Sequence, residues 1–221
     1  MKRLDRSLAS SPVCLTTLSP TIHTWEDMNK KRRKAQVWTE IYKFQDKFCA
    51  YCESDAFQGE ASGHIEHFYH KGEPRYRGLT FTWSNLFGCC SSTTHCGHYK
   101  DQILEGGIAR QYDPNLILKP DIDDPEEYFQ FLPSGKIKTK DGLDDVKINR
   151  AEETIRALNL NASELKLARE TQINLFQARI MPFLELLDTL DEDVLEEYYY
   201  VKDEARTVAH RTAVKQAIIW L

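Results

Sequence analysis

Four cysteines in the pattern Cys49-Ala-Tyr-Cys52 and Cys90-x5-Cys96 decide the fold of this chain. A closed tetrahedral zinc site takes two ligand pairs from two turns, with two to four residues between the members of a pair. The first pair has this spacing, whereas the second must combine Cys96 with Cys89 or Cys90, and both choices leave a slightly long gap. We predict a structural zinc site here, with two buried thiol pairs and no metal as the alternative.

Between and after these cysteines lies a second set of reactive side chains, in His64-Ile-Glu-His67, Asn85 and Gly97-His98. Hydrolysis of a phosphodiester needs a base that activates water and a divalent ion that holds the phosphate. Histidine is a base near neutral pH, and a carboxylate is a hard oxygen ligand for Mg²⁺. Adjacent side chains on a strand point to opposite faces. Glu66 and His67 must therefore lie at a strand end or a bend to serve one site, and a helix carrying His98 would supply a second ligand.

The composition is that of a water-soluble protein. Of 221 residues, 41% are hydrophobic and 29% charged, which is typical of one sizeable globular domain or two small ones. We expect no membrane span, because no apolar run reaches about 18 residues. We also expect no signal peptide and a cytoplasmic location, because no apolar core follows Met1-Lys2-Arg3. Six cysteines in a reducing compartment indicate metal ligands and not disulfides.

The formal charge of −5 bears on the kind of partner. A protein that binds nucleic acid unaided usually has a basic surface. Here basic residues gather at 30–34, and acidic residues gather in the C-terminal half, at 121–127 and 188–197. The charge leaves a nucleic-acid substrate possible and indicates that a partner protein contributes to the affinity.

Periodicity and turn signals divide the chain into three regions. Residues 1–48 are expected to form an arm and a helix over about 25–47, and residues 49–110 a zinc-bound unit of short strands and a helix. Residues 111–221 are expected to form a hairpin around Pro133-Ser-Gly135 and a partner-binding helical region, with a last helix over about 191–220. The predicted fold class is α+β, mostly α.

The residues between 49 and 100 resemble the HNH, or ββα-metal, nuclease family. The matching elements are Cys49-x2-Cys52, Glu66-His67, Asn85-Leu86, Cys90, Cys96 and Lys100. The resemblance implies a zinc-stapled HNH core over 49–110 and hydrolysis of nucleic acid with Mg²⁺ or another divalent ion. It implies one role for each of four side chains: general base for His67, metal ligand for Glu66, prop of the base for Asn85 and helix metal ligand for His98. The spacing Asn85-x4-Cys90 favours Cys90 over Cys89 as a zinc ligand.

The chain departs from the HNH pattern at the helix ligand. The family usually places this ligand directly after the last cysteine, where this chain has Gly97. His98 comes one residue later, so His95 and Asp101 compete with it. His64 can join the ion site from the same strand face as Glu66, although a structural histidine or a contact to substrate is the simpler interpretation.

A closer resemblance covers nearly the whole chain. It is carried by Met1-Lys-Arg-Leu4, Phe48-Cys-Ala-Tyr-Cys-Glu53, Ile65-Glu-His-Phe68, Trp83-x-Asn-Leu86, His95-Cys-Gly-His-Tyr-Lys-Asp101 and the segment 151–161. These segments are similar to the PtuB family, the HNH subunit of Septu anti-phage defence, which is also found beside retron reverse transcriptases. The resemblance implies a toxin-like effector held in a complex with PtuA, an ABC/SMC-like ATPase. In a retron system, the reverse transcriptase and its RNA–DNA would be further partners.

The cysteines alone fit a second class of function equally well. This is a non-catalytic zinc-binding adaptor that docks the ATPase through its C-terminal helices. An adaptor has no need of the Glu66-His67, Asn85 and His98 set, which therefore favours a nuclease. The sequence leaves open whether DNA or RNA is cut.

Overall fold

The computed structural model describes residues 1–59, 61–184 and 192–218. In these ranges helices make up most of the regular structure, and the strands form two small antiparallel sheets, so the predicted α+β, mostly α class is confirmed. The helices are α1 (Val13–Thr16), α2 (Arg33–Gln45), α3 (Cys96–Lys100), α4 (Asp145–Ala157), α5 (Ser163–Leu184), α6 (Glu192–Ala205) and α7 (Arg211–Ala217). The strands are β1 (His64–His67), β2 (Leu86–Cys89), β3 (Phe129–Phe131) and β4 (Ile137–Thr139). No helix in the described ranges combines the length and the apolar composition needed to cross a bilayer.

The pair β1–β2 and the short helix α3 follow one another in the order strand, strand, helix. The register pairs Glu66 with Phe87 and His67 with Leu86. Every residue of β2 is buried, because the strand packs between helices and the cysteine-bearing turns. Side chains alternate across β1, so His64 and Glu66 share one face and His67 lies on the other.

Helix α2 holds β2 in place through a glycine. A Cβ added at Gly88 would lie 2.8 Å from the Trp38 ring and 3.0 Å from the Ile41 side chain, so only glycine allows this close approach. The Gln45 side chain also binds the same backbone unit, donating from Nε2 to the Gly88 carbonyl at 2.6 Å and accepting from the Gly88 N–H at 3.1 Å. The predicted apolar face of this helix is therefore what positions the strand pair.

The helix expected over 25–47 is interrupted. A 3₁₀ segment covers Trp25–Arg32, and the α-helix begins only at Arg33. Lys31 and Arg32 both have φ +53°, a left-handed conformation that side-chain-bearing residues adopt rarely. The apolar period that indicated a helix lies within α2, whereas the charged residues before it carry no such period.

The C-terminal region contains the predicted hairpin. Strands β3 and β4 pair as an antiparallel hairpin, and Gly135 lies in the turn between them. Gly135 has φ +69°, and a Cβ at this position would collide with the backbone carbonyl of Lys166 in α5. The single last helix expected over 191–220 is instead two helices, α6 and α7, separated at His210 with φ +58°. Residues 191 and 219–220 lie outside the described ranges.

Hydrogen bonds join the cysteine-bearing turns to the C-terminal helices. The Cys96 N–H donates to the Leu158 carbonyl at 2.8 Å, just after α4. At the start of α7, His210 Nδ1 lies 2.8 Å from the Cys52 carbonyl, and the Thr212 hydroxyl donates to Glu53 at 2.6 Å. The geometry of the first cysteine pair therefore depends on distant parts of the sequence.

Candidate metal centre and active site

Four buried cysteine thiols converge on one point. The Sγ atoms of Cys49, Cys52, Cys90 and Cys96 all lie within 4.8 Å of one another. Zinc–sulfur bonds of about 2.3 Å in a tetrahedron place the sulfurs about 3.8 Å apart, and Cys52 Sγ lies 3.7 Å from Cys90 Sγ. All cysteines of the chain are free of disulfides. The four thiols are therefore close enough to share one metal ion, and their donor chemistry fits zinc.

Backbone N–H donors and a buried cation surround the cluster. Backbone N–H groups of Tyr51 and Ser54 point at Cys49 Sγ and Cys52 Sγ, at 3.5 and 3.4 Å. Arg169 of α5 is 1% exposed, and in the described part of the chain its Nε and Nη2 atoms have no hydrogen-bond partner. Its Nη1 donates to the Gly135 and Leu160 carbonyls, at 3.2 and 2.7 Å, but a buried cation without a counter-charge is still costly. Zn²⁺ with four thiolates would carry a net charge of −2 and would supply that counter-charge, which neutral thiols cannot.

Cys89 and His95 border this cluster. Cys89 Sγ lies 3.6 Å from Cys49 Sγ and accepts the Gly97 N–H at 3.4 Å, and burial raises the pKa of this thiol to about 12. His95 Nε2 lies 3.9 Å from Cys90 Sγ. The geometry groups Cys90 with the other three cysteines, and it places His95 beside sulfur atoms and not beside Glu66.

Glu66 lies with two histidines between β1 and α3. Its carboxylate is 4% exposed, with Oε2 at 3.3 Å from His64 Nε2 and Oε1 at 3.0 Å from Lys100 Nζ. The rings of His64 and His98 lie 3.9 Å apart between centroids. The buried Nδ1 atom of His64 has no hydrogen-bond partner in the described residues. The structure thus brings Glu66 and His98 to one face and adds His64 to them.

The charges in this cluster are fixed by burial and by Lys100. Burial alone would raise the pKa of Glu66, but the Lys100 charge and the His64 hydrogen bond together outweigh burial and hold that pKa well below its usual range. Lys100 is fully buried, and Glu66 and Asp101 raise its pKa against the effect of burial. Burial lowers the pKa of His98, so its ring is neutral at pH 7. Asp101 accepts hydrogen bonds from Lys100 and Tyr112, at 2.7 and 2.9 Å, so it lies on the lysine side of the carboxylate.

Gly97 makes room for the Glu66 carboxyl group. A Cβ added at Gly97 would lie 2.6 Å from Glu66 Cδ, closer than any real contact. A residue with a side chain at this second position of α3 would displace the carboxylate. HNH proteins usually carry a metal ligand at the position of Gly97. In this chain the Glu66 carboxyl group fills the volume that such a side chain would need.

We expect Gly97→Ala to destabilise the chain by about 1–3 kcal/mol through overpacking, although alanine favours helix over glycine. Urea unfolding would measure this change. Gly78→Ala is the matched control, because nothing lies within 4 Å of a Cβ at that position. The double variant Glu66→Asp/Gly97→Ala has a shorter acid and should recover part of the lost free energy of unfolding. If its loss equalled the sum of the losses in the two single variants, the contact between Gly97 and Glu66 would be contradicted.

His67 lies on the opposite face of β1 and is only 2% exposed. Its Nε2 donates to the Thr80 carbonyl at 3.0 Å, so in the neutral ring Nδ1 carries the lone pair. The Trp25 ring covers it edge to face, with centroids 4.3 Å apart. In the described part of the chain, the His67 ring makes no hydrogen bond to Glu66, His64 or His98, whereas its backbone carbonyl accepts from Lys100 Nζ at 3.3 Å. Burial, and then the Lys71 charge, lower the pKa of His67 to about 3, so the ring is neutral at pH 7.

Asn85 acts on His67 through the loop that faces it. Its side chain accepts from the Tyr69 N–H at 2.7 Å and donates to the Leu79 carbonyl at 3.2 Å. Leu79 precedes Thr80, whose carbonyl binds His67. Asn85 therefore fixes the position of the carbonyl that orients the imidazole, and it makes no direct contact with the ring.

The depressed pKa of His67 gives stability a defined pH dependence. The folded chain keeps the ring neutral down to a pH of about 3, whereas the unfolded chain takes up a proton below its ordinary value of 6.5. The free energy of unfolding contributed by this residue is fully present above pH 6.5. It falls by about 1.4 kcal/mol per pH unit at lower pH. Urea unfolding from pH 7 to pH 5 should show a smaller loss in His67→Gln than in the unchanged chain, and equal losses would contradict the assignment.

Two residues that set the geometry of Glu66, Lys100 and Gly97, have no predicted role from the sequence. Lys100 belongs to the HNH pattern, but its ion pair with Glu66 follows only from the packing of α3 on β1. Gly97 appeared as a departure. A glycine in a helix indicates a close approach of another group to the backbone.

Comparison with known proteins agrees with the resemblance seen in the sequence. No protein-family model matches the chain. The chain is 26% identical over 160 residues to the Septu protein PtuB of Bacillus mycoides (strain KBAB4). The match covers 64% of this chain and 52% of that protein, so the chain spans about half the length of this curated relative. This sequence identity indicates that the chain is PtuB-like.

Proposed function

We propose that this chain is a metal-dependent endonuclease of HNH type and the toxic effector of a Septu anti-phage defence complex. The similarity to PtuB supports the defence role and a partnership with a PtuA-type ATPase. In a system that contains a retron, the reverse transcriptase and its RNA–DNA would join the complex. One observation carries the hydrolytic part: Glu66 contacts His64 and shares a face with His98, and the next residue is a neutral histidine of fixed tautomer.

Each side chain has a defined task in this proposal. Lys100 holds Glu66 Oε1, which leaves Oε2 beside His64 and His98 as the oxygen ligand of a divalent ion. A bound ion supplies charge stabilisation on the phosphate and the leaving oxygen. Thr80 fixes the tautomer of His67, so that Nδ1 accepts the proton of the attacking water. The zinc-binding cysteines hold the turns that carry β2 and α3.

The burial of His67 favours a second candidate, the non-catalytic zinc-binding adaptor. A base must reach water, and this ring is 2% exposed beneath Trp25. An adaptor would use the cysteine cluster as a scaffold and the C-terminal helices to bind the ATPase. Both functions need the zinc, so removal of zinc cannot separate them.

A cleavage assay with the purified complex of this chain and its ATPase partner tests the proposal. End-labelled DNA and RNA would each be incubated with Mg²⁺ or Mn²⁺, and without added divalent ion, while zinc content is measured in parallel. We expect cleavage only with the divalent ion and none with His98→Ala, which retains zinc. No cleavage of either nucleic acid by an intact, zinc-loaded complex would favour the adaptor.

A further inference from the structure

A surface groove runs beside the covered face of His67. Its lining includes His23, Trp25, Glu26, Lys71, Arg77 and Thr80. Two of these residues touch His67 directly, Thr80 through its carbonyl at 3.0 Å and Trp25 through its ring at 4.3 Å. A ligand in this groove would therefore lie next to the candidate base.

Lys71 is one of two cations among the described residues that line this groove, the other being Arg77. It is half-buried, and in the described part of the chain its ammonium group has no hydrogen bond or ion pair. Its positive charge lowers the pKa of both His67 and His98. Lys71 lines the same groove as Trp25 and Thr80, the two residues that touch the candidate base. A partly desolvated cation without a carboxylate partner is suited to bind an anion.

The other lining groups suit a nucleic-acid strand. Arg77 is exposed, and its guanidinium has no partner in the described residues. Trp25 is half-buried and supplies an aromatic ring, and aromatic rings with cations are the usual means of binding single strands. The carboxylate of Glu26 opposes an anion, but it accepts a hydrogen bond from Asn29 Nδ2 at 3.0 Å. The balance of charge in the groove is positive.

We propose that this groove, which we name the Lys71 groove, binds the phosphodiester backbone of a nucleic-acid strand. Lys71 contacts the phosphate next to His67, and Arg77 contacts a neighbouring phosphate. The choice of nucleic acid as ligand rests on the proposed function, whereas an anion site at Lys71 does not. In this arrangement Lys71 touches the substrate and holds one phosphate beside Thr80, whose carbonyl binds the His67 ring.

Binding of a non-cleavable oligonucleotide tests the groove without relying on catalysis. Fluorescence anisotropy would follow a labelled single-stranded phosphorothioate DNA, and an equivalent RNA analogue, with the zinc-loaded chain and with its ATPase complex. No other divalent ion would be added. We expect Lys71→Met to weaken binding about 5- to 10-fold at low salt and to reduce the slope of log affinity against log salt by about 0.7. Lys71→Arg should retain most of the affinity.

The matched control is Lys166→Met, a half-buried lysine of α5 away from the groove. Trp25→Phe should reduce the quenching of intrinsic fluorescence by the oligonucleotide, and Trp83→Phe should not. Equal affinity and salt slope for Lys71→Met and the unchanged chain, or no binding by the unchanged chain and complex, would overturn the proposal. If the complex bound the oligonucleotide through Lys71 but cut no nucleic acid, the groove proposal would be supported. Only the proposed nuclease activity would then be contradicted.

Discussion

Cys52→Ser is expected to prevent the chain from folding at 25 °C. Structural zinc contributes about 10–16 kcal/mol of binding free energy in small domains, which is as large as the whole stability of a typical protein. The variant also removes one thiolate beside the buried Arg169 cation, and it loosens the turn whose carbonyl contacts His210. Far-UV circular dichroism should show loss of helix. Elemental analysis should show one zinc per unchanged chain and far less in the variant.

Two other cysteine variants serve as controls. Cys14→Ser changes a buried cysteine on α1 that lies outside the cluster, so zinc content should be unchanged. Cys89→Ser tests the choice between neighbouring cysteines: we expect zinc to be retained, whereas Cys90→Ser should lose it. A Cys52→Ser protein with native helix content and an unchanged melting temperature would show that the cluster does not hold the fold.

His67→Gln is expected to lower the rate of cleavage by about 10²–10⁴-fold, the usual contribution of a general base. Glutamine keeps an N–H donor that can reach the Thr80 carbonyl, so the loop should stay in place while the basic nitrogen is lost. Single-turnover kinetics with the ATPase complex would measure the rate, and anisotropy would show whether nucleic-acid binding is retained. Loss of rate with retained binding is the signature of a base.

His70→Ala is the matched control for this variant. His70 follows the end of β1 by three residues, and its Nε2 lies 3.9 Å from the Asp101 carboxylate. It has no part in the proposed reaction. Its cleavage rate should change less than a few-fold. Cleavage by His67→Gln at the rate of the unchanged complex would exclude His67 as the base and would direct attention to His64 or His98.

Local patterns in the sequence were sufficient for part of this result. The CxxC turn and the second cysteine group specify where four sulfurs can meet, because ligand geometry restricts spacing. The alternation around Gly135 and the apolar period of residues 33–45 gave the hairpin and α2. The break at Lys31 and Arg32 was missed, since no apolar period marks that segment. The division of 191–220 into two helices was also missed, because His210 turns the chain to meet Cys52, and that contact is distant in sequence.

The sequence by itself determined the donor set: which thiols, carboxylate and imidazoles are available, and that a strand places Glu66 and His67 on opposite faces. Only the tertiary structure decided the environment of each donor. It placed Lys100 against Glu66, fitted the Glu66 carboxyl group into the space above Gly97, and covered His67 with Trp25. The physical reason is that local backbone geometry sets the directions and distances of side chains only over a few residues along the chain. Burial, charge pairing and proton affinity depend instead on groups that packing brings from far along the sequence.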